Sequence, residues 1–444
     1  MKKRFYAPWE RHFSKVSTQF ERFLHAQTTT GMVLMVTTLI ALVLANLFYD
    51  AYSHFFHTKL TIAFGDFKLS MSLHHWINDA LMAVFFFVIG LEIKREILVG
   101  ELSNIKASIL PIIAAVGGMV IPALIYFAIN HNPPYSAGWG IPMATDIAFA
   151  ISALVLLRKY VPSSLVTFLV ALAIVDDLGA VVVIALFYTA KIHLAYLFYA
   201  FLTFLVLVVF NLLGIRRALP YFIVGVIMWY FMLQSGIHAT IAGVIAALAI
   251  PTKPRLAPVS FSDDIRGLLN DYDKEVPNVP YLPTEKQKAV LKAVEKKIED
   301  VSSPAAVLED KLHLPVAMIV IPLFALANAG IKIDFANFTN SILHPVSVGV
   351  MAGLIIGKPL GIFGFSYFAV KLKLASLPKG ASFSKLLGVA FLAGIGFTMS
   401  IFIADLAFKG NSQLIAYAKN GIILGSLISA ILGIIWLKMT KEVK

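Results

Sequence analysis

Apolar stretches of about 18 residues or more recur along nearly the whole of this 444-residue chain. Each is long enough, as a helix, to cross a hydrocarbon core of about 30 Å. Inside lipid every backbone N–H and C=O must find its partner within the protein, so apolar runs of this length are helices. The spans read from the sequence are Gly31 to Tyr49, Ile77 to Leu98, Ile109 to Ile129, Trp139 to Leu157, Leu165 to Tyr188, Leu194 to Leu213, Leu219 to Leu233 and Ile237 to Ile250. After a polar interruption come Leu314 to Gly330, Val346 to Val370, Leu386 to Phe408 and Leu414 to Leu437. The expected class is an all-α polytopic membrane protein of about twelve transmembrane helices. Only 14% of the residues are charged, against about a quarter in soluble proteins, which agrees with that class. The chain has no cysteine, so disulfides are excluded and the redox compartment is not legible.

The net charge of +12 would suit a nucleic-acid partner, but its distribution argues against one. Basic residues crowd alternate loops: Arg11 and Arg22, then Lys94, Arg95 and Lys106, then Arg158 and Lys159, then Arg216 and Arg217, then Lys371 to Lys385, and last Lys438 and Lys441. The other side holds only Lys59, Lys68, Lys191, Lys332, Lys409 and Lys419. That is the positive-inside pattern; it puts both termini in the cytoplasm of a multi-pass protein. The first apolar run is followed by no cleavage signal and is expected to be a retained span.

The organisation follows. Residues 1–30 form a basic tail in which Phe5, Tyr6, Trp9, Phe13, Val16, Phe20 and Phe23 recur mostly at spacings of three and four, as in a helix lying on anionic lipid. Spans one to eight occupy 31–250, a polar insertion 251–312, spans nine to twelve 313–437, and a short tail 438–444. In the insertion, Thr284 to Asp300 reads as a Thr-capped helix after a Pro-interrupted linker at Lys274 to Pro283. Between the first two spans, Lys59 to Ser72 contains two β-prone runs around Gly65-Asp66, the signature of a hairpin. A two-stranded hairpin is marginal alone, so a second copy pairing along its edge, and thus a homodimer, is expected.

Chemistry is carried by ionisable residues inside the spans. Asp146, Asp176, Asp177 and Lys358 lie near mid-span, and an ionised acid there costs about 2.5 to 3.5 kcal/mol on insertion scales. Asp176 and Asp177 are adjacent, so on a helix they point about 100° apart: one can meet a base while the other faces a cavity. Lys358 is the only mid-span base, flanked by Gly357, Pro359 and Gly361, which thin and weaken its helix. Two spans are interrupted: the fourth by Gly140-Ile-Pro-Met-Ala-Thr-Asp146, the eleventh by Gly394-Ile-Gly-Phe-Thr-Met-Ser400. Broken helices survive at membrane depth only where they line a cavity or are buried in protein. Their new ends carry partial charges that Asp146 and Lys358 can offset. Carboxylates, Thr145 and unwound carbonyls supply the oxygens that a hard monovalent cation prefers. Protons compete for the same desolvated carboxylates, and competition at one site suffices for exchange.

These stretches also carry a resemblance. Trp76-Ile-Asn-Asp-Ala-Leu-Met-Ala-Val-Phe-Phe, Gly90-Leu-Glu-Ile-Lys-Arg-Glu96, Ala144-Thr-Asp-Ile-Ala-Phe-Ala150 and Ala171-Leu-Ala-Ile-Val-Asp-Asp-Leu-Gly-Ala180 resemble the NhaA Na+/H+ antiporters. So do Ser235-Gly-Ile-His-Ala-Thr240, Phe324-Ala-Leu-Ala-Asn-Ala-Gly330, Gly357-Lys-Pro-Leu-Gly361 and Gly394-Ile-Gly-Phe-Thr-Met-Ser-Ile-Phe402. The resemblance implies a secondary transporter with no cofactor, no catalytic residue and Na+, Li+ and H+ as its ions. It implies an inverted-repeat fold in which broken spans four and eleven cross. It makes Asp177 the main cation ligand, Asp176 the partner of Lys358, and places Asp146 and Thr145 at the crossing. Glu92, Glu96, His238 and Glu309 match positions tied to pH regulation, and His313 fits the same set. The chain departs from the family in a longer insertion after span eight and in Asp310, where the family often has His.

Three other readings compete with exchange. An intramembrane aspartyl protease also buries two acids, but Tyr-Asp occurs only at Tyr49-Asp50 and Tyr272-Asp273, Gly-x-Gly-Asp is absent, and Lys358 has no place in that mechanism. A sodium-coupled symporter needs an organic-substrate site beside the acids. A passive channel does not need a buried ion pair.

Overall fold

The structure is a computed structural model that describes residues 27–189, 192–275, 282–332 and 338–440. The basic N-terminal tail expected to lie on lipid falls outside the described residues. In chain order, α1 (Gln27–Leu47) and α2 (Tyr49–His57) lead into a hairpin of β1 (Lys59–Phe64) and β2 (Phe67–Ser72). Then follow α3 (Leu73–Leu98), α4 (Ile105–Ile129), a 3-10 segment Tyr135–Met143, α5 (Ile147–Leu156), α6 (Ser163–Phe187), α7 (Leu194–Leu212), α8 (Ala218–Ser235) and α9 (Thr240–Ala249). The rest comprises α10 (Pro258–Lys274), α11 (Glu285–Val301), α12 (Pro304–Asn328), α13 (Pro345–Lys371), α14 (Phe383–Ala393), α15 (Phe397–Ala407) and α16 (Ser412–Met439).

Among the described residues ten helical spans are long and apolar enough to cross a membrane, and eleven if α14 and α15, bent by 48° at Gly394–Gly396, count as one. The expected eighth span is α9, a helix of 10 residues and so about 15 Å, half a hydrocarbon core. The polar insertion holds one more helix than expected. Beside α11, capped as read by Thr284 and Gln287 in a capping box, α10 begins with Pro258 in its first turn. The two insertion helices are joined by an ion pair, Lys297 Nζ to Asp264 Oδ2 at 2.6 Å.

The helices form two compact units: one from Met1–Phe85, Glu96–Lys191 and Leu314–Lys444, the other from Phe86–Arg95 and Ile192–His313. In the second, Gly90 of α3 lies against Val244 and Ala247 of α9, and Lys94 donates to the carbonyls of Leu248 (2.6 Å) and Ile250 (2.5 Å) at the end of α9. A cation on the unpaired carbonyls of a helix C-terminus is favourable. On α7 only Ala200 and Leu207 are buried, and its outward residues are almost all apolar, as lipid contact demands.

In the first unit α13 packs along α4 more extensively than any other pair of elements. Lipid tails are as apolar as the helices, so close packing rather than hydrophobicity holds such pairs, and small residues allow it. A Cβ at Gly361 would run into the backbone of Gly117, and one at Gly117 into the carbonyl of Gly361. The hairpin pairs Lys59 with Ser72 through Phe64 with Phe67, turning at Gly65, whose φ of +57° suits glycine. The Trp76 indole donates to the Leu60 carbonyl at 3.1 Å and ties the hairpin to α3.

The glycine seam gives a direct check. Gly361→Val is expected to destabilise the purified protein by about 1 to 3 kcal/mol through overpacking, read as a lowered thermal midpoint in detergent. Gly364→Ala, three residues along the same helix with open space around it, is expected to leave the midpoint unchanged.

Candidate ion-binding site

The interruption before α5 is short and buried. The 3-10 segment contains Pro142 and ends at Met143; Ala144 is extended, and Asp146, also non-helical (φ −86°, ψ 98°), caps α5. The second interruption separates α14 from α15. The two breaks touch, because the Asp146 N–H donates to the Ile395 carbonyl at 2.6 Å.

Each break leaves backbone groups that helices would otherwise pair, and side chains take them up. Asp146 serves two helix N-termini at once: Oδ1 accepts from Phe149 N at 3.2 Å, and Oδ2 accepts from Thr398 N at 3.0 Å and from the Thr398 hydroxyl at 2.5 Å. Thr145 Oγ1 donates to the Ala393 carbonyl at 2.9 Å, at the C-terminal end of α14. Ser400 Oγ donates to the Ile141 carbonyl at 2.8 Å, and Ser426 Oγ accepts from Gly396 N and Phe397 N at 3.2 Å each. Thus a negative group sits on the positive helix ends and hydroxyls complete the rest. Thr398, Ser400 and Ser426 were not singled out as site residues from the sequence. Thr398 and Ser400 stand in the interrupting stretch of the eleventh span; nothing local to Ser426 marks it.

Lys358 has no access to the surface. Its Nζ donates to Asp176 Oδ2 at 2.7 Å and to the Met143 carbonyl, at the end of the 3-10 segment. It therefore balances one buried acid and one negative helix end. A π-helical turn, Gly353–Gly357, immediately precedes it, with Gly357 against the backbone of Pro122. Pro359 lacks an N–H, and a π turn is one way for a helix to absorb that loss. Asp176 is 1% exposed; its carboxylate also faces Thr145, but Oδ1 completes no hydrogen bond. Asp177 is buried beside it and lies within electrostatic reach of Lys358. The structure thus brings Thr145, Asp146, Asp176, Asp177 and Lys358 into one buried region of the first unit, with an acceptor oxygen of Asp176 to spare.

With this geometry in hand, the comparison with known sequences is decisive. The profile of the Na+/H+ antiporter 1 family matches residues 21–437. The chain belongs to that family. It is 62% identical to the Na+/H+ antiporter NhaA of Sulfurimonas denitrificans over 434 residues, 98% of both chains. It is 48% identical to Na+/H+ antiporter NhaA 1 of Saccharophagus degradans over 97% of this chain and 93% of the other. With NhaA of Dichelobacter nodosus the identity is 46%, over 97% and 93%.

Of the residues that the family resemblance ties to pH regulation, some come together. In the second unit Arg95 Nη1 is 2.8 Å from Glu309 Oε1, and its Nη2 is 4.0 Å from Glu92 Oε1, so one guanidinium links two acids. His313 is exposed on α12, and His238 is half-buried between α8 and α9. Glu96, in the first unit, lays its side chain over Gly100.

Removing one member of a buried ion pair strands the other charge, at about 3 to 5 kcal/mol. Lys358→Ala is therefore expected to cost that much in thermal or denaturant unfolding. Asp176→Ala/Lys358→Ala should be clearly more stable than Lys358→Ala alone, and additive losses in this double-mutant cycle would contradict the pairing.

Proposed function

We propose that this chain is a secondary active transporter that exchanges cytoplasmic Na+, or Li+, for external H+. The observation that carries the reading is the buried ion pair Lys358–Asp176, set beside Asp177 where two interrupted spans touch. Membership of the Na+/H+ antiporter 1 family supports it independently. The chain crosses the inner membrane twelve times with both termini in the cytoplasm: ten long spans, the bent α14 and α15 as one more, and α9 with its flanking Ile237 and His238 as the last. The 3-10 segment with α5, and α14 with α15, are the two broken spans of an inverted repeat.

Asp177 is the principal ligand of the cation, with Asp176 Oδ1 and Thr145 supplying further oxygens. Asp146 holds the two broken helices in place, its oxygens already engaged by Phe149 and Thr398. Lys358 neutralises Asp176 while no cation is bound. A cation arriving from the cytoplasm displaces one proton from Asp177 and one from the Asp176–Lys358 couple. The protein then opens outward, releases the cation and takes up two protons. Two protons against one Na+ move one net charge per cycle, so the membrane potential drives the exchange. The linked acids Glu92 and Glu309, with Glu96, His238 and His313, set the pH at which the cycle runs. The exposed apolar residues Leu60 and Ile62 on β1, which pairs with β2 along one edge, support a homodimer formed through the hairpin.

Everted membrane vesicles test this reading. Adding Na+ or Li+ should collapse a preformed pH gradient, and Asp177→Asn should lower that response at least a hundredfold in apparent affinity or abolish it, in proportion to the loss of the ligand charge. An unchanged response in Asp177→Asn would overturn the assignment.

A further inference from the structure

Asp405 and Lys419 fall inside the apolar runs read as the eleventh and twelfth spans, and the structure pairs them with little exposure. Lys419 lies on α16 about 10 Å along the helix from Ser412. Its Nζ is 3.1 Å from Asp405 Oδ1, and each side chain is only 11% exposed. Asp405 Oδ2 is buried and accepts no hydrogen bond. Around this pair the wall is polar. His74 hydrogen-bonds Asn328 and lies within electrostatic reach of Asp405 and Lys419. The amides of Asn78 and Asn328 exchange hydrogen bonds at 3.1 and 2.8 Å. On the same elements Asp79 lies within electrostatic reach of His75 and Lys409.

Position on the helix connects this cluster to the site already described. Asp405 follows Thr398 by seven residues on α15, which is two turns and about 20° of rotation, so both lie on one face about 10 Å apart. Thr398 binds Asp146. Between the two turns Ile401 and Phe402 are buried, and the Phe402 ring meets Phe324 edge to face at 6.0 Å. An apolar seal therefore separates two polar levels along one helix face. The outer level lies in the last turns of α15, where the partial negative charge of the helix end favours a cation. A purely structural ion pair at this depth would have both carboxylate oxygens satisfied, since a buried acceptor left without a donor costs about 1 to 3 kcal/mol.

We propose that Asp405 is a second cation station, on the outer side of the Phe402–Phe324 seal, where the transported monovalent cation displaces the Lys419 ammonium from the carboxylate. The proposal rests on the exchange reading above. Lys419 acts as a resident counter-ion that keeps the station neutral when empty. Na+ or Li+ uses the unengaged Oδ2 first and then both oxygens, while the lysine swings aside toward the outer face. Asp405 and Lys419 thus act in opposite senses on cation affinity from outside.

Sided transport assays separate the possibilities. Right-side-out vesicles present the outer face to the medium and everted vesicles the cytoplasmic face. Asp405→Asn should raise the outer-face KM for Na+ roughly five- to tenfold and leave the cytoplasmic-face KM within about twofold. Lys419→Gln, which frees the carboxylate, should lower the outer-face KM. Asp405→Glu should keep it within about twofold of wild type and serves as the conservative control. A structural pair moves Asp405→Asn and Lys419→Gln in the same direction, so a shift of the same sign overturns the station. Equal KM shifts at both faces overturn it as well. Should Asp405→Asn fail to fold, an outer-face KM that does not fall in Lys419→Gln is sufficient to reject it. Wild-type vesicles without Na+-driven proton movement at either face would instead overturn the exchange reading, and the station with it.

Discussion

The arrangement of the first unit depends on one contact: an ammonium and a carboxylate, both removed from water, held 2.7 Å apart where two chain breaks meet. Neither charge is tolerable alone at that depth, so whatever fixes Lys358 must also fix Asp176. The fixing comes from both sides. On one side α13 is pulled onto α4 by glycines that leave no room for a Cβ, and its π turn carries Lys358 inward. On the other, the end of the 3-10 segment offers the Met143 carbonyl to the same Nζ. Packing, backbone irregularity and electrostatics are in this way a single constraint.

The broken helices are stable for a related reason. A break in lipid exposes donors and acceptors that cost several kcal/mol each if left unpaired. Here side chains take up several of them: Asp146 the N–H groups of Phe149 and Thr398, Ser426 those of Gly396 and Phe397, and Thr145 the Ala393 carbonyl. Asp146 is thereby committed to backbone, whereas Asp176 retains an unengaged oxygen and Asp177 lies within reach of the lysine charge. Three acids of one type are divided by their surroundings: one fastens two breaks, one faces the lysine, and Asp177 is left for the proposed role of ligand.

Much of this was legible in the chain. Apolar length located most of the spans to within a few residues, because lipid leaves a helix no alternative, but the ninth begins at Pro304, well before its apolar run at Leu314. The 100° between adjacent helical residues separates Asp176 from Asp177 on helix geometry alone. The hairpin at Gly65 and the Thr284 cap followed from local turn and capping chemistry. What escaped was non-local. Ser426 reaches the break between α14 and α15 from thirty residues away, and α10 hid in a segment whose polarity masked a Pro-initiated helix. The contact of Lys419 with Asp405 joins two separate helices, and neither apolar run alone announces it. Partners that depend on the crossing of separate spans leave no periodic trace in either span.

The central claim is that a monovalent cation and protons compete for the same buried carboxylates. Proton release on Na+ binding to the purified protein in weakly buffered detergent solution measures that competition without membranes, gradients or flux. The account predicts release of about two protons per Na+ bound near neutral pH, falling toward zero as the pH rises and the carboxylates are already ionised, with no release from Asp177→Asn. Saturable Na+ binding with no proton released at any pH would contradict it.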